Sequence, residues 1–166
     1  DFRDSLSPAD LFLRFGKAAE SIMSDYEIRF DVWTQRAIQI TSLELYFFAD
    51  NWRDPNTDLN PEQLNSGTWY IRRRGTNANT SRIDITAGSK ANHMYCGILL
   101  RGVNGEDGSG KALKSIIRGS ENESSARSWS ANEVGLLDSI HGRSILDSPL
   151  RLVQRKNRST CNFKYL

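Results

Sequence analysis

The spacing of hydrophobic positions changes several times along this chain, and each change marks an element. Leu11, Phe15, Ala18, Ala19, Ile22 and Met23 recur at three- and four-residue intervals, which predicts an amphipathic helix over about 8–23. Ser7-Pro8-Ala9-Asp10 supplies its start. Ser7 is an N-cap, Pro8 sits where no N–H is needed, and Asp10 lies at the positive end of the dipole. Over 36–48 the period shortens to two. Ile38 and Ile40 fall on one parity and Leu43, Leu45 and Phe47 on the other, so the alternation slips near Thr41-Ser42. A β-bulge, or a strand covered on both faces, accounts for the slip. Further strands are predicted over 67–73, 82–86, 95–103 and 149–154. Residues 49–66, broken by Pro55 and Pro61, read as a polar loop, 105–110 as a flexible loop and 119–128 as an exposed Ser-rich loop. A short helix is expected over 111–117. Another, opened by a Ser130/Glu133 capping box, runs to about Ile140. No internal repeat is visible. These elements predict an α+β fold in a single domain over 1–166, with a mixed or antiparallel β core over about 36–155 and helices at its flanks.

Composition narrows the function classes. With 38% hydrophobic and 25% charged residues the chain fits the soluble globular class. A net charge of +2 gives no global basic field, so any nucleic-acid affinity has to come from local clusters. Two such clusters exist: Arg72-Arg73-Arg74, and Arg151, Arg155, Lys156, Arg158 and Lys164 near the C-terminus. Two cysteines make no disulfide framework, and Cys96, inside an apolar run, reads as an inert core residue. His93 and His141 are the only histidines, which leaves few ligands for zinc, and no metal or cofactor is expected. Surface or helix-end roles suit these histidines better than chemistry. The longest apolar runs are too short to span a membrane, and a cytoplasmic protein is the default expectation. The chain opens on Asp1, which leaves room for a trimmed leader.

The stretch with most chemical content is Leu43-Glu44-Leu45-Tyr46-Phe47-Phe48. It is a strand with one carboxylate set among apolar neighbours, and burying that charge without a partner costs desolvation energy. Side chains two apart on a strand share a face, so Glu44 and Tyr46 project together. A carboxylate beside a ring can activate water while a flat group is held next to it. The competing reading is a structural Glu–Arg pair.

The order of motifs resembles the alkyladenine (3-methyladenine) DNA glycosylase family. Its Glu-x-Tyr strand is matched by Glu44-Leu45-Tyr46, and the loop that follows by Asp54-Pro55-Asn56-Thr57-Asp58. Its Gly-x-x-Tyr-Val-Tyr strand is similar to Gly67-Thr68-Trp69-Tyr70-Ile71-Arg72, and its Cys-x-Asn-Ile strand to Arg82-Ile83-Asp84-Ile85. Ile98-Leu99-Leu100-Arg101-Gly102, Gly108-Ser109-Gly110-Lys111-Ala112 and Pro149-Leu150-Arg151-Leu152 complete seven matches in the same order. The resemblance implies a curved antiparallel core like that of the formyltransferase C-terminal domain. It implies a DNA glycosylase that flips a base from duplex DNA and hydrolyses its N-glycosidic bond. In that reading Glu44 is the general base and stabilises the developing sugar cation, and Arg101 offsets its charge. Tyr46 stacks on the flipped base, while Asp58, Arg72 and Asp84 line the pocket. Asp58 stands where the family has His, Asp84 where it has Asn, Arg72 in place of an aromatic, and Arg74 at the position of the wedging tyrosine. Arg73, Arg74, Lys111 and Arg151 are the expected DNA contacts, and Trp52 and Arg53 are candidates to help hold the flipped base or its neighbour. The substituted pocket points to a non-standard modified base.

Two other readings compete with this one. One is a nucleic-acid-binding protein that kept the fold and lost catalysis. The other is a hydrolase of free nucleotides or another small N-glycoside. An Asp84–Arg101 ion pair beneath the sheet is the structural alternative to chemistry at those two residues.

Overall fold

The computed structural model describes residues 7–32, 36–50, 52–119, 126–156 and 164–165. In chain order these form α1 (Pro8–Asp25), β1 (Tyr26–Phe30), β2 (Ala37–Ile38), β3 (Ile40–Ala49), β4 (Trp52–Arg53), β5 (Ser66–Arg72), β6 (Arg82–Ala87), β7 (Tyr95–Val103), β8 (Glu106–Asp107), α2 (Ser109–Arg118), α3 (Ala131–Ile140), β9 (Leu150–Gln154) and β10 (Lys164–Tyr165). Short 3-10 helices cover Pro61–Leu64 and Ala78–Thr80. The class is α+β, as the periodicity predicts.

Local chemistry explains the element ends. The Asp10 N–H donates to the Ser7 hydroxyl at 3.2 Å, and the Ser7 N–H donates back to the Asp10 carboxylate at 3.2 Å. This reciprocal cap satisfies donors that the first helical turn leaves open. Ser130 and Glu133 form the same arrangement at the start of α3. α1 runs two residues past its predicted end and passes directly into β1. That strand has no turn signal before it and was not expected from the sequence.

β1 lies between β2 and β9 in a three-stranded antiparallel sheet. The larger sheet has the order β10-β3-β7-β6-β5, with β4 paired to β3 and β8 to β7. All its pairings are antiparallel except β10 with β3. The register of β3 on β7 shifts between Ile40, Ser42 and Leu43, which is the bulge the alternation called for. The loops expected over 49–66 and 105–110 are more structured than their composition suggests, since they hold β4, the Pro61–Leu64 helix and β8.

One face of the large sheet is apolar. Leu43, Trp69, Ile71, Ile83, Ile85, Ile98 and Leu100 are buried there in a single cluster. That cluster also takes in Phe15, Ala19 and Met23 of α1, Ala112, Leu113, Ile116 and Ile117 of α2, Leu137 and Ile140 of α3, and Ile28, Phe30, Leu150 and Leu152 of the smaller sheet. Burial of this kind contributes about 25 cal/mol per Å² of apolar surface. It fixes which side of every strand faces inward, and so leaves the opposite face of the large sheet free to carry polar groups.

Candidate active site

Cross-strand register assembles the polar face. Residues directly opposite on neighbouring strands share a face. Glu44 pairs with Leu99, Leu99 with Asp84, and Asp84 with Tyr70, one row across β3, β7, β6 and β5. In the next row Tyr46 pairs with Gly97, and Gly97 with Thr86. On the other side Arg72 pairs with Arg82, and Arg101 follows Leu99 at the same parity. The register thus brings Glu44, Tyr46, Tyr70, Arg72, Arg82, Asp84 and Arg101 onto one surface, with Asp58 reaching it from the loop.

The Glu44 side chain is 27% exposed. Its Oε2 is buried without a hydrogen bond and lies 3.6 Å from Arg101 Nη1. That distance is an ion pair but too long for a good hydrogen bond. Arg101 Nε is 3.7 Å from Asp107, so this guanidinium is shared between two carboxylates. Arg101 pairs with Glu44 and Asp107, and no ion pair to Asp84 occurs among the described residues. The Tyr46 hydroxyl is pushed up to about 12, first by burial and then by the neighbouring Glu44 charge. It is therefore a neutral, partly buried phenol at physiological pH.

Asp84 is the carboxyl that carries full burial. It is 6% exposed, and its Oδ1 has no hydrogen-bond partner. Burial raises it from 3.8 to about 7. Arg82 opposes that shift, Asp58 adds to it, Arg72 opposes and Glu44 adds. Ile83 and Ile85 point into the core on either side, so the alternation that predicts Asp84 facing away from them holds. Asp58 accepts a hydrogen bond from the Tyr70 hydroxyl at 3.1 Å and pairs with Arg72 at 3.0 Å. The Tyr70 hydroxyl is raised by burial and then by the Asp58 charge. The Cys96 thiol is pushed up to about 12, mainly by burial, which makes it an inert thiol.

Two groups escaped the sequence reading. Arg82 faces both Asp84 and Tyr46, and it makes no hydrogen bond or ion pair to a described residue. Gln63, in the short helix at Pro61–Leu64, is 1% exposed although its loop looked polar. Asn60-Pro61-Glu62-Gln63 is itself a capping signal, with Asn60 as N-cap and Gln63 at the third position, and could have revealed that helix.

Glycines let this helix sit on the sheet. A methyl group on Gly97 would lie 2.9 Å from both Asp84 Oδ2 and Gln63 Nε2. One on Gly88 would lie 1.8 Å from the Gln63 carbonyl oxygen and 2.5 Å from that of Met94. Both latter atoms are backbone, so no rotamer change relieves the clash. Gly88→Ala is expected to lower stability by about 2 kcal/mol or more, read as a lower urea midpoint.

A cavity of about 310 Å³ lies where β5 meets the end of α3, with Tyr70, Arg72, Leu137, Asp138 and His141 in its wall. The Tyr70 and His141 rings are 5.7 Å apart at 53°. His141 caps α3, and its Nδ1 accepts from the Ile71 N–H at 3.0 Å. This fits the helix-end role expected of it and gives it a partner the sequence did not reveal.

The expected DNA contacts divide. Arg73 pairs with Asp138 at 2.5 Å, and Arg151 pairs with Asp31 at 2.5 Å on the smaller sheet. Arg74 and Lys111 are exposed and make no ion pair to a described residue. Lys111 follows a helix start at Gly108 that has no side-chain cap. Trp52 meets Phe12 edge-on at 6.1 Å, and Arg53 lies over Phe48 at 6.0 Å. Arg158, Cys161 and the Lys164 side chain lie outside the described residues, as does the 120–125 part of the Ser-rich loop. Among the described residues no three His, Cys, Asp or Glu side chains cluster as metal ligands, and no helix is long and apolar enough to cross a membrane.

Compared with family models, with curated proteins and with solved structures, the chain has no match in any of the three.

Proposed function

We propose that this chain is a hydrolase of N-glycosidic bonds, acting on a flipped, modified nucleobase in DNA with Glu44 as general base. The observation that carries the reading is the Glu44 carboxylate. It is only partly exposed, stands beside the Tyr46 ring, and has an oxygen unclaimed by any hydrogen bond. Such a group can orient a water, take its proton and stabilise positive charge at the sugar's anomeric carbon. Arg101 balances the carboxylate's charge without claiming its oxygen, because 3.6 Å is too long for a good hydrogen bond. Tyr46 offers the stacking surface, worth about 1–3 kcal/mol for a base. The ordered motif resemblance and the specific glycosylase-type core belong to this proposal. Arg74 and Lys111 supply phosphate contacts in it.

The test is direct. Duplexes carrying single modified bases, and unmodified controls, are incubated with the protein and cleaved at abasic sites with alkali. Strand breaks at a modified position are expected. A panel of modified duplexes that stays intact removes the proposal.

One observation favours the small-substrate reading as second choice. Arg72, Arg73 and Arg151 are each held by an aspartate, which reduces the charge available to a phosphate backbone. Strong competition by mononucleotides, without duplex affinity, would select that reading.

A further inference from the structure

Three arginines stand in one row of the polar face, and the middle one has no counter-charge at ion-pair distance. Arg72 of β5 pairs directly with Arg82 of β6. Arg82 and Arg101 lie on the same side of the Asp84–Leu99 pair, each two residues from it, so Arg101 of β7 continues the row. Side chains two apart on a strand share a face, which sets this row beside the one that holds Glu44. We infer that the row, with Arg82 at its centre, binds the 5′-phosphate of the nucleotide whose glycosidic bond is cut. The inference rests on the proposed hydrolase reading for the base and the sugar, and adds the phosphate site to it.

Energetics single out Arg82. Like charges directly opposite each other on neighbouring strands destabilise a sheet. The outer two arginines offset that cost with acids of their own. Arg72 pairs with Asp58 at 3.0 Å, and Arg101 lies 3.6 Å from Glu44 and 3.7 Å from Asp107. Arg82 makes no ion pair or hydrogen bond to a described residue. The acid that feels its charge most directly is Asp84, which is buried and raised to about 7. That carboxyl is only partly ionised at neutral pH and so offsets Arg82 only in part. All three arginines keep some of the side chain at the surface: Arg72 is 25% and Arg101 38% exposed, and Arg82 is half-buried. A phosphate lying over Arg82 would supply the missing negative charge, and the guanidinium fork matches its oxygens.

The order of the rows fits a nucleotide laid along the strands. Tyr46 and Glu44 are two residues apart on β3, and Arg101 is two residues beyond Leu99, the partner of Glu44. Each step is about 7 Å. In a nucleoside 5′-phosphate the base is attached at C1′ and the phosphate hangs from C5′, across the sugar ring. With the base against Tyr46 and C1′ at Glu44, the phosphate is directed to the arginines. A free nucleotide and a DNA backbone both carry such a phosphate, and both present anionic oxygens to Arg82.

The test measures binding by the full chain, so it needs no turnover. The probes are deoxyguanosine and deoxyadenosine 5′-monophosphates, their nucleosides, and a short unmodified duplex. The variants are Arg82→Gln, Arg82→Lys and, as a control of equal charge change, Lys90→Gln in the exposed β6–β7 turn. If the phosphate comes from a free nucleotide, the monophosphates bind at least about 10-fold tighter than their nucleosides. Arg82→Gln then removes that margin and Lys90→Gln keeps it. If it comes from DNA, the duplex binds while the monophosphates gain nothing over nucleosides. Arg82→Gln then weakens the duplex about 10-fold and lowers the salt slope by about one, and Lys90→Gln does neither. Arg82→Lys keeps the charge without the fork and falls between wild type and Arg82→Gln in either case. The site is overturned if wild type binds neither the monophosphates over their nucleosides nor the duplex. It is equally overturned if Arg82→Gln binds both as wild type does, or if Lys90→Gln loses as much as Arg82→Gln. Should Arg82→Gln not fold, the wild-type comparison and Arg82→Lys decide the matter. Phosphate binding lost with Arg82, in a protein that hydrolyses no N-glycoside, removes the hydrolase reading and keeps the phosphate site. Hydrolysis without a contribution from Arg82 does the reverse.

Discussion

Glu44→Gln is expected to reduce N-glycosidic hydrolysis by at least about 10³-fold while duplex binding stays equal or tightens. General-base catalysis alone is worth about 10²–10⁴-fold, and the same carboxylate supplies electrostatic stabilisation of the sugar cation. Gln keeps the shape of the side chain, and Arg101 retains Asp107 at 3.7 Å as a partner. The substitution therefore removes the base without stranding the guanidinium. It also removes a negative charge from a surface proposed to meet a polyanion, which is why affinity should not fall. Single-turnover rates and gel-shift titrations on the same duplex separate the two effects. A Glu44→Gln protein that still makes abasic sites at near wild-type rate would exclude Glu44 as the base. One that loses binding and rate together would mark it as a structural partner of Arg101.

The same pair shows how far the sequence could be read. Alternation alone placed Glu44 and Tyr46 on one face, because period two is a property of any strand and needs no knowledge of neighbours. The slip at Thr41-Ser42, the strand at 95–103 and the helix opened by Ser130 were legible for the same reason: their signals are local. β1 was not. Its Ile28 and Phe30 face inward only because β9, more than a hundred residues away, closes the sheet beside it. Which cation serves which carboxylate was equally illegible. Arg101 had two candidate partners in the sequence, and the register of β3 on β7 gives it Glu44. Arg82 stands two residues before Asp84 on one strand, so alternation alone puts them on one face, but no local signal shows that its side chain has no ion-pair partner among the described residues. Gln63 was missed because a polar loop residue is buried here against two glycines distant in sequence, Gly88 just after β6 and Gly97 of β7. The seven ordered motifs named residues that the strand register gathers on one face, but the pairing within that face came from long-range register.

Asp84→Asn is expected to make the protein more stable at pH 8 and to flatten its stability between pH 4 and pH 8. The sign follows from linkage. In the unfolded chain the carboxyl titrates near 3.8, and in the fold burial holds it near 7. Between those values the folded state binds more proton than the unfolded one, so stability from this group is fully present below about pH 4 and is lost as pH rises to about 7. Moving a carboxyl from 3.8 to about 7 corresponds to at most about 4 kcal/mol. Above pH 7 the wild-type protein carries a buried charge with one oxygen unpartnered, a cost that Asn, neutral and of the same shape, does not impose. Urea midpoints at pH 4.5, 6 and 8 should therefore converge for the two proteins at the acid end and diverge at the basic end, with the variant ahead. Parallel curves would show that Asp84 is no more desolvated in the fold than in the unfolded chain.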